Sequence, residues 1–190
     1  FKINHCLWSQ SVYIKDYTKD KELFMDLKLW DTPNTVNQVL QKIIDKGCTM
    51  TTICTHNNAS VFEAVQPFSK YVKLLAVTYL TSWTAEDRHD ITNTSRNLMW
   101  RNHLDRISPY GFSGIICSAS DIENIANLEK HYIKVCPGIQ YETENTGQSR
   151  TTTPRKAKEL GADYLVIGRS ITQASDPVQT VNEIRESLNG

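Results

Sequence analysis

Leu23-Phe24-Met25-Asp26-Leu27-Lys28-Leu29-Trp30-Asp31-Thr32-Pro33-Asn34-Thr35 is a strand, a loop and a helix start in thirteen residues. The run from Leu23 to Lys28 is short and mainly apolar, as a buried strand is. Pro33 stands between strand and helix, so Asp31 belongs to the loop. Val36, Val39, Leu40, Ile43 and Ile44 then keep the i, i+3, i+4, i+7, i+8 spacing of one buried helical face. Gly47 follows as the C-terminal cap.

The same alternation runs outward in both directions. Further strands are expected at Phe1 to Ile3, Met50 to Thr55, Val72 to Tyr79, Gly114 to Ser118, Tyr132 to Cys136 and Tyr164 to Ile167. Most are continuous apolar runs, which suits a parallel sheet buried on both faces. Thr153-Pro154 and Asp176-Pro177 each read as an N-cap followed by a first helical residue. Gly161 ends the first of these helices. Val178, Val181, Ile184 and Leu188 mark the buried side of the last. Strand-helix alternation makes this an α/β chain of about seven units. A closed (β/α)₈ barrel needs eight, so pattern alone leaves a doubly wound open sheet as an alternative. No linker, low-complexity stretch or repeat divides the chain, and one domain over residues 1–190 is expected.

Lys plus Arg and Asp plus Glu both number 21, a formal net charge of zero. Such a balance gives no electrostatic reason to expect nucleic acid or a membrane surface. An anionic ligand must be held by local groups. Apolar stretches such as Leu74 to Val77 are far too short to span a bilayer, and with no basic stretch before an apolar run at the start of this sequence, no signal peptide is expected in it. The five cysteines include no C-x-x-C pair and read as buried free thiols in a reducing cytoplasm. The histidines form no metal pattern with nearby carboxylates.

Three constellations carry chemistry. Asp26 and Lys28 are two apart on a strand and share a face. With Asp31 in the following loop, two carboxylates around one ammonium would keep that ammonium charged and ready to donate a proton. The bland alternative is a structural ion pair at a strand end. The second constellation ends a buried strand in Gly168-Arg169, where backbone N–H groups and a guanidinium can meet an anion. Gln148, on the loop that follows the preceding strand, could donate an amide N–H to the same anion. The bland alternative there is a strand terminator with a solvated Arg. Leu80-Thr81-Ser82 is weaker: its hydroxyls suit a pyrimidine edge, or simply a turn.

Taken in order, these motifs resemble the orotidine 5′-phosphate decarboxylase family. That family shows a strand lysine, D-x-K-x-x-D-I-P-N-T, L-T-S, a C-S-A strand end, P-G-I, a G-D-Q-R-like loop, then D-Y-x-V-I-G-R-x-I-T and D-P. Here stand Phe1-Lys2-Ile3, Asp26 through Thr35, Leu80-Thr81-Ser82, Cys117-Ser118-Ala119, Pro137-Gly138-Ile139, Gly147-Gln148-Ser149-Arg150, Asp163 through Thr172, and Asp176-Pro177. Departures occur at Asn4, where Gly is usual, at Gln140, where Arg is usual, and at Cys54-Thr55-His56-Asn57-Asn58, where a His-Ala-Ser-Gly-Gly-like end is usual.

The resemblance implies a TIM-type (β/α)₈ barrel, here with the first β-α unit lacking, and a cytoplasmic homodimer with shared sites. It implies decarboxylation of orotidine 5′-phosphate to uridine 5′-phosphate in de novo pyrimidine synthesis, with no cofactor and no metal. Asp26 would crowd the substrate carboxylate, and Lys28 would protonate carbon 6. Lys2 would hold the ribose and align Asp26. Asp31 and Thr35 would reach the partner's site, with Thr35 touching ribose. Thr81 and Ser82 would meet the pyrimidine. Gln148, Gly168 and Arg169 would hold the phosphate, and Pro137 and Gln140 complete the substrate-binding set. Two further readings stay open: a Mg²⁺-dependent sugar-phosphate lyase of the superfamily, which shares the D-x-K-x-x-D strand but against which Pro33-Asn34-Thr35 and Pro137-Gly138-Ile139 argue, and a non-catalytic nucleotide-binding remnant.

Overall fold

Among the described residues, seven parallel strands, interspersed with helices, follow one another across a sheet in chain order, β1 to β7. The computed structural model describes residues 1–8, 21–80, 82–84, 86–87, 95–126, 131–141 and 152–189. They fall into two compact units. The first comprises residues 1–78 and 101–115, the second 79–100 and 116–190.

In the first unit β1 (Lys2–Ile3) pairs with β2 (Phe24–Leu29) through Lys2↔Phe24 and Ile3↔Met25. Between them in sequence, Asn4 starts the short helix α1 (His5–Trp8), its Oδ1 accepting the Cys6 N–H at 3.2 Å. β2 pairs with β3 (Met50–Cys54), and the register shifts between Met25 and Leu29. β3 runs in unbroken register along β4 (Lys73–Val77), from Met50↔Lys73 to Cys54↔Val77. The Ser113 N–H donates to Leu74 O at 2.9 Å, just before β5 (Gly114–Ile116).

Helices cover apolar surface in this unit. α2 (Pro33–Asp45) buries Val36, Leu40 and Ile43, as its spacing requires. It stops at Gly47, whose φ of +71° is a left-handed turn that glycine enters without a Cβ clash. α3 (Ala59–Val65) buries Val61, Phe62 and Val65, and Asn58 caps it by accepting from the Val61 N–H. Leu104 and Ile107 of α4 (Arg96–Ile107) are also buried. Burial of this kind contributes about 25 cal/mol per Å² of apolar surface and dominates stability.

In the second unit, α5 (Ile122–Ala126) precedes β6 (Ile133–Cys136), which pairs with β7 (Tyr164–Leu165) through Val135↔Tyr164 and Cys136↔Leu165. Thr153 caps α6 (Pro154–Glu159), its Oγ1 accepting from the Lys156 N–H at 3.2 Å. α7 (Arg169–Thr172) and α8 (Pro177–Asn189) complete the order. Asp176 Oδ1 accepts from the Gln179 N–H at 2.9 Å, so the expected cap is present. Along α8, Ile184 is buried but Val178 is 74% exposed, against expectation. Periodicity marks the face of a helix, not how far along it a neighbour extends, and Val178 lies in the first turn.

Fully buried Asp121 is also satisfied in this unit. It accepts from Tyr79 Oη at 3.1 Å and from Ser118 Oγ at 2.6 Å. Of the cysteines, none of which is in a disulfide, Cys48, Cys117 and Cys136 are buried, Cys54 is half-buried, and Cys6 is exposed, against expectation. Cys6 lies in four-residue α1, too short to bury a face. Among the described residues, no helix is long and apolar enough to cross a membrane.

Candidate active site

Asp26 sits midway along β2 with its carboxylate between two ammonium groups. Lys2 Nζ reaches Oδ2 at 2.9 Å and Lys28 Nζ reaches Oδ1 at 2.9 Å. Asp26 is buried, whereas the side chains of Lys2 and Lys28 are 29% and 38% exposed. Burial alone would raise the Asp26 pKa. The hydrogen bonds and positive charges of Lys28 and Lys2 outweigh it and hold the carboxyl below its usual value. An anionic carboxylate between two charged amines is therefore the resting state.

The chain thus places one carboxylate between two ammoniums, not one ammonium between two carboxylates. Asp31 takes part in neither ion pair. It is exposed, and its Oδ1 accepts from the Thr32 N–H at 2.6 Å. That bond, with help from the Thr35 hydroxyl, lowers its pKa. Thr32 Oγ1 and Thr35 Oγ1 lie 3.1 Å apart at the start of α2.

The surroundings of the array include residues that sequence reasoning did not single out. Thr52, in the middle of β3 and fully buried, accepts from the Lys28 N–H at 2.8 Å and donates to Asp26 Oδ1 at 3.0 Å. Lys28 itself has φ +50°, the positive value of a non-glycine residue among those described. Asn57 Nδ2 donates to Leu29 O at 2.9 Å and to Cys54 O at 2.8 Å. Arg106 donates to Asn57 O at 2.6 Å. A threonine inside an apolar strand, beside a strand with two charges, was the available sequence signal for Thr52.

Two histidines stand at the end of β3. Nε2 of His56 lies 2.9 Å from the Thr78 carbonyl, which fixes that nitrogen as the donor. His103 Nδ1 lies 2.8 Å from Thr55 Oγ1. Burial, together with the charges of His56 and Arg106, lowers the His103 pKa to about 4. His103 is therefore neutral at neutral pH, as a structural histidine is.

The second unit holds the other expected residues. Gly168 precedes α7, and a Cβ built there would meet nothing within 4 Å. Arg169 borders a cleft of ≈ 440 Å³ shared with Tyr141, Ser170 and Gln173. Tyr141 donates its N–H to Ser170 Oγ at 3.2 Å. Pro137 is half-buried at the end of β6, and the Gln140 N–H donates to Thr152 O at 3.0 Å. Ser82 is exposed in a turn. Thr81 and Gln148 lie outside the described residues.

A family model described as orotidine 5′-phosphate decarboxylase / HUMPS family matches residues 10–184. The chain belongs to the orotidine 5′-phosphate decarboxylase / HUMPS family. An orotidine 5′-phosphate decarboxylase of Ehrlichia canis is 37% identical over 171 residues, covering 88% of this chain and 75% of that protein. The enzyme of the same name from Streptococcus mutans is 34% identical over 173 residues, with 88% and 75% covered. Among solved structures, orotidine 5′-phosphate decarboxylase from Lactobacillus acidophilus matches with a TM-score of 0.83 and 28% identity, covering 100% of this chain and 86% of that one. The enzyme of that name from Pyrococcus horikoshii gives 0.77 at 22% identity and speaks for the fold alone. The fold class is therefore the β/α barrel of this family, with seven strands in chain order, and the open doubly wound sheet is set aside.

Proposed function

We propose that this protein decarboxylates orotidine 5′-phosphate to uridine 5′-phosphate, as a cytoplasmic step of de novo pyrimidine synthesis and without a metal or organic cofactor. The observation that carries the proposal is the Asp26 carboxylate held between Lys2 and Lys28. Family membership and the names of its relatives support the same reaction.

In this reading Asp26 lies beside the substrate carboxylate, and like charges strain the bound ground state. As the bond from carbon 6 to the carboxylate breaks, its electron pair stays on carbon 6 and carbon dioxide leaves. Lys28 then gives its proton to carbon 6. An ammonium meeting a developing carbanion stabilises the transition state more than the ground state, which is what accelerates a reaction. Lys2 aligns Asp26 and holds ribose. Arg169, Gly168 and Gln148 take the phosphate, anchoring the reacting end from a distance. Thr81, Ser82, Pro137 and Gln140 contact the rest of the nucleotide. Two copies form a homodimer in which Asp31 and Thr35 serve the partner's site.

The test is conversion of orotidine 5′-phosphate by the purified chain, followed by chromatography of the product. Turnover should survive a chelator, and Lys28→Ala should abolish it. Near-parental turnover by Lys28→Ala would remove Lys28 as proton donor. Loss of activity in chelator would favour a metal-dependent sugar-phosphate lyase instead.

A further inference from the structure

We infer that Thr52 and Asn57 are positioning residues, which together fix the backbone of Lys28 and the carboxylate of Asp26. This rests on the decarboxylase reading for its turnover readout, but its geometry is independent of that reading. The β2–β3 register breaks between Met25 and Leu29, so the strand ladder is interrupted where Lys28 stands. A side chain fills the place. The Thr52 hydroxyl accepts from the Lys28 N–H at 2.8 Å and donates a hydrogen bond to Asp26 Oδ1 at 3.0 Å. A hydroxyl has one proton to give and lone pairs to receive, so both bonds coexist. Lys28 Nζ returns to the same Oδ1 at 2.9 Å. The result is a closed circuit from the Lys28 backbone through Thr52 and Asp26 to the Lys28 ammonium.

One residue further on, Asn57 closes the other side. Its two amide protons go to Leu29 O and Cys54 O, stitching the end of β2 to the end of β3. Asn57 is 2% exposed, and Arg106 holds its carbonyl. Lys28 occupies φ +50°, a left-handed conformation that non-glycine residues keep only when their surroundings impose it. Thr52 on one side and Asn57 on the other are the groups that impose it. Both are buried and neither has a charge to offer the reaction, so they act through Lys28 and Asp26.

Three variants test this: Thr52→Val, which keeps the shape and removes the hydroxyl, Thr52→Ser, which restores it, and Asn57→Ala. Thr52→Val should lower kcat about tenfold or more, the scale of one hydrogen bond to a charged group, with KM little changed. Thr52→Ser should recover most of that loss. The second readout needs no turnover: the rate at which Lys28 is acylated by an amine-reactive reagent, measured by mass spectrometry. A loosened Asp26 protects the ammonium less, so Lys28 should react several-fold faster in Thr52→Val and at nearly the parental rate in Thr52→Ser. A parent without decarboxylase activity would sink the proposed function, and the labelling alone would then decide this inference. A folded Thr52→Val chain whose Lys28 reacts at the parental rate overturns it, and so does a Thr52→Ser chain as impaired as Thr52→Val. Should Thr52→Val fail to fold, Asn57→Ala carries the same two readouts. If both fail to fold, the residues serve stability and the inference is wrong.

Discussion

Lys2 Nζ lies 2.9 Å from Asp26 Oδ2, while the other oxygen of that carboxylate meets Lys28 Nζ at the same distance. A neutral amide cannot balance two ammoniums. Asp26→Asn should abolish turnover and destabilise the fold by roughly 1–3 kcal/mol, a range lowered because both amines reach water. The sign with pH follows from the depressed Asp26 pKa. Its contribution is fully present above the unfolded carboxyl value near 3.9 and is lost as pH falls through the lower folded value. Urea unfolding of parent and Asp26→Asn between pH 3 and pH 7 should show the gap between them closing only at the acid end. A gap independent of pH would mean that folding does not lower the Asp26 pKa.

His103 provides a second, separable acid effect. Its folded pKa of about 4 lies below the ordinary value of 6.5. The unfolded chain therefore binds the proton first, and stability falls as pH drops from 6.5 towards 4. The full loss is on the order of 3 kcal/mol. His103→Gln, which removes the titration, should flatten unfolding free energy across that window. An unchanged slope would assign the effect to other groups.

Arg169 should act on phosphate and little else. A charge-assisted contact of about 1.5–3 kcal/mol predicts that Arg169→Ala weakens uridine 5′-phosphate binding by about one to two decades. Uridine should bind the parent weakly and respond little to the substitution. Equal losses for both ligands in calorimetry would indicate a disturbed fold rather than a lost phosphate contact.

The shared-site reading of Asp31 makes a prediction about mixtures. Lys28→Ala and Asp31→Ala chains should each be inactive alone. Dissociated and re-annealed together, they should regain part of the parental rate, because one of the two sites in a heterodimer is intact. Light scattering should give the mass of two chains, with stability rising with protein concentration. A one-chain mass, or no rescue from verified heterodimers, would end the idea.

Much of this was legible in the sequence. Each of the seven apolar runs became a strand at or near its expected place, because burial on both faces demands continuous apolar residues. α2 was equally plain, since the Val36, Leu40 and Ile43 spacing has no other good explanation and Gly47 ends it at positive φ. Asp26 and Lys28 shared a face as two-residue spacing requires. What stayed hidden depends on register and reach. The partnership of Thr52 with Lys28 exists because the β2–β3 ladder shifts, which no single strand's sequence reveals. Asn57 looked like a departure from the family's glycines, and only the folded chain shows its amide holding two strand ends. Val178 fitted the apolar face of α8, but that face is covered only further along.

The positive φ of Lys28 also reverses an ordinary rule of protein engineering. Alanine normally outranks glycine inside an element, because glycine gives up more freedom on folding. At residue 28 the backbone sits where an L-residue's Cβ is crowded and glycine is at ease. With the amine gone in both, Lys28→Gly should melt above Lys28→Ala, by the few degrees that about 1 kcal/mol represents in a chain of this size. The backbone at this position thus resists the very side chain on which the proposed chemistry depends, and strain of that kind gathers at functional sites.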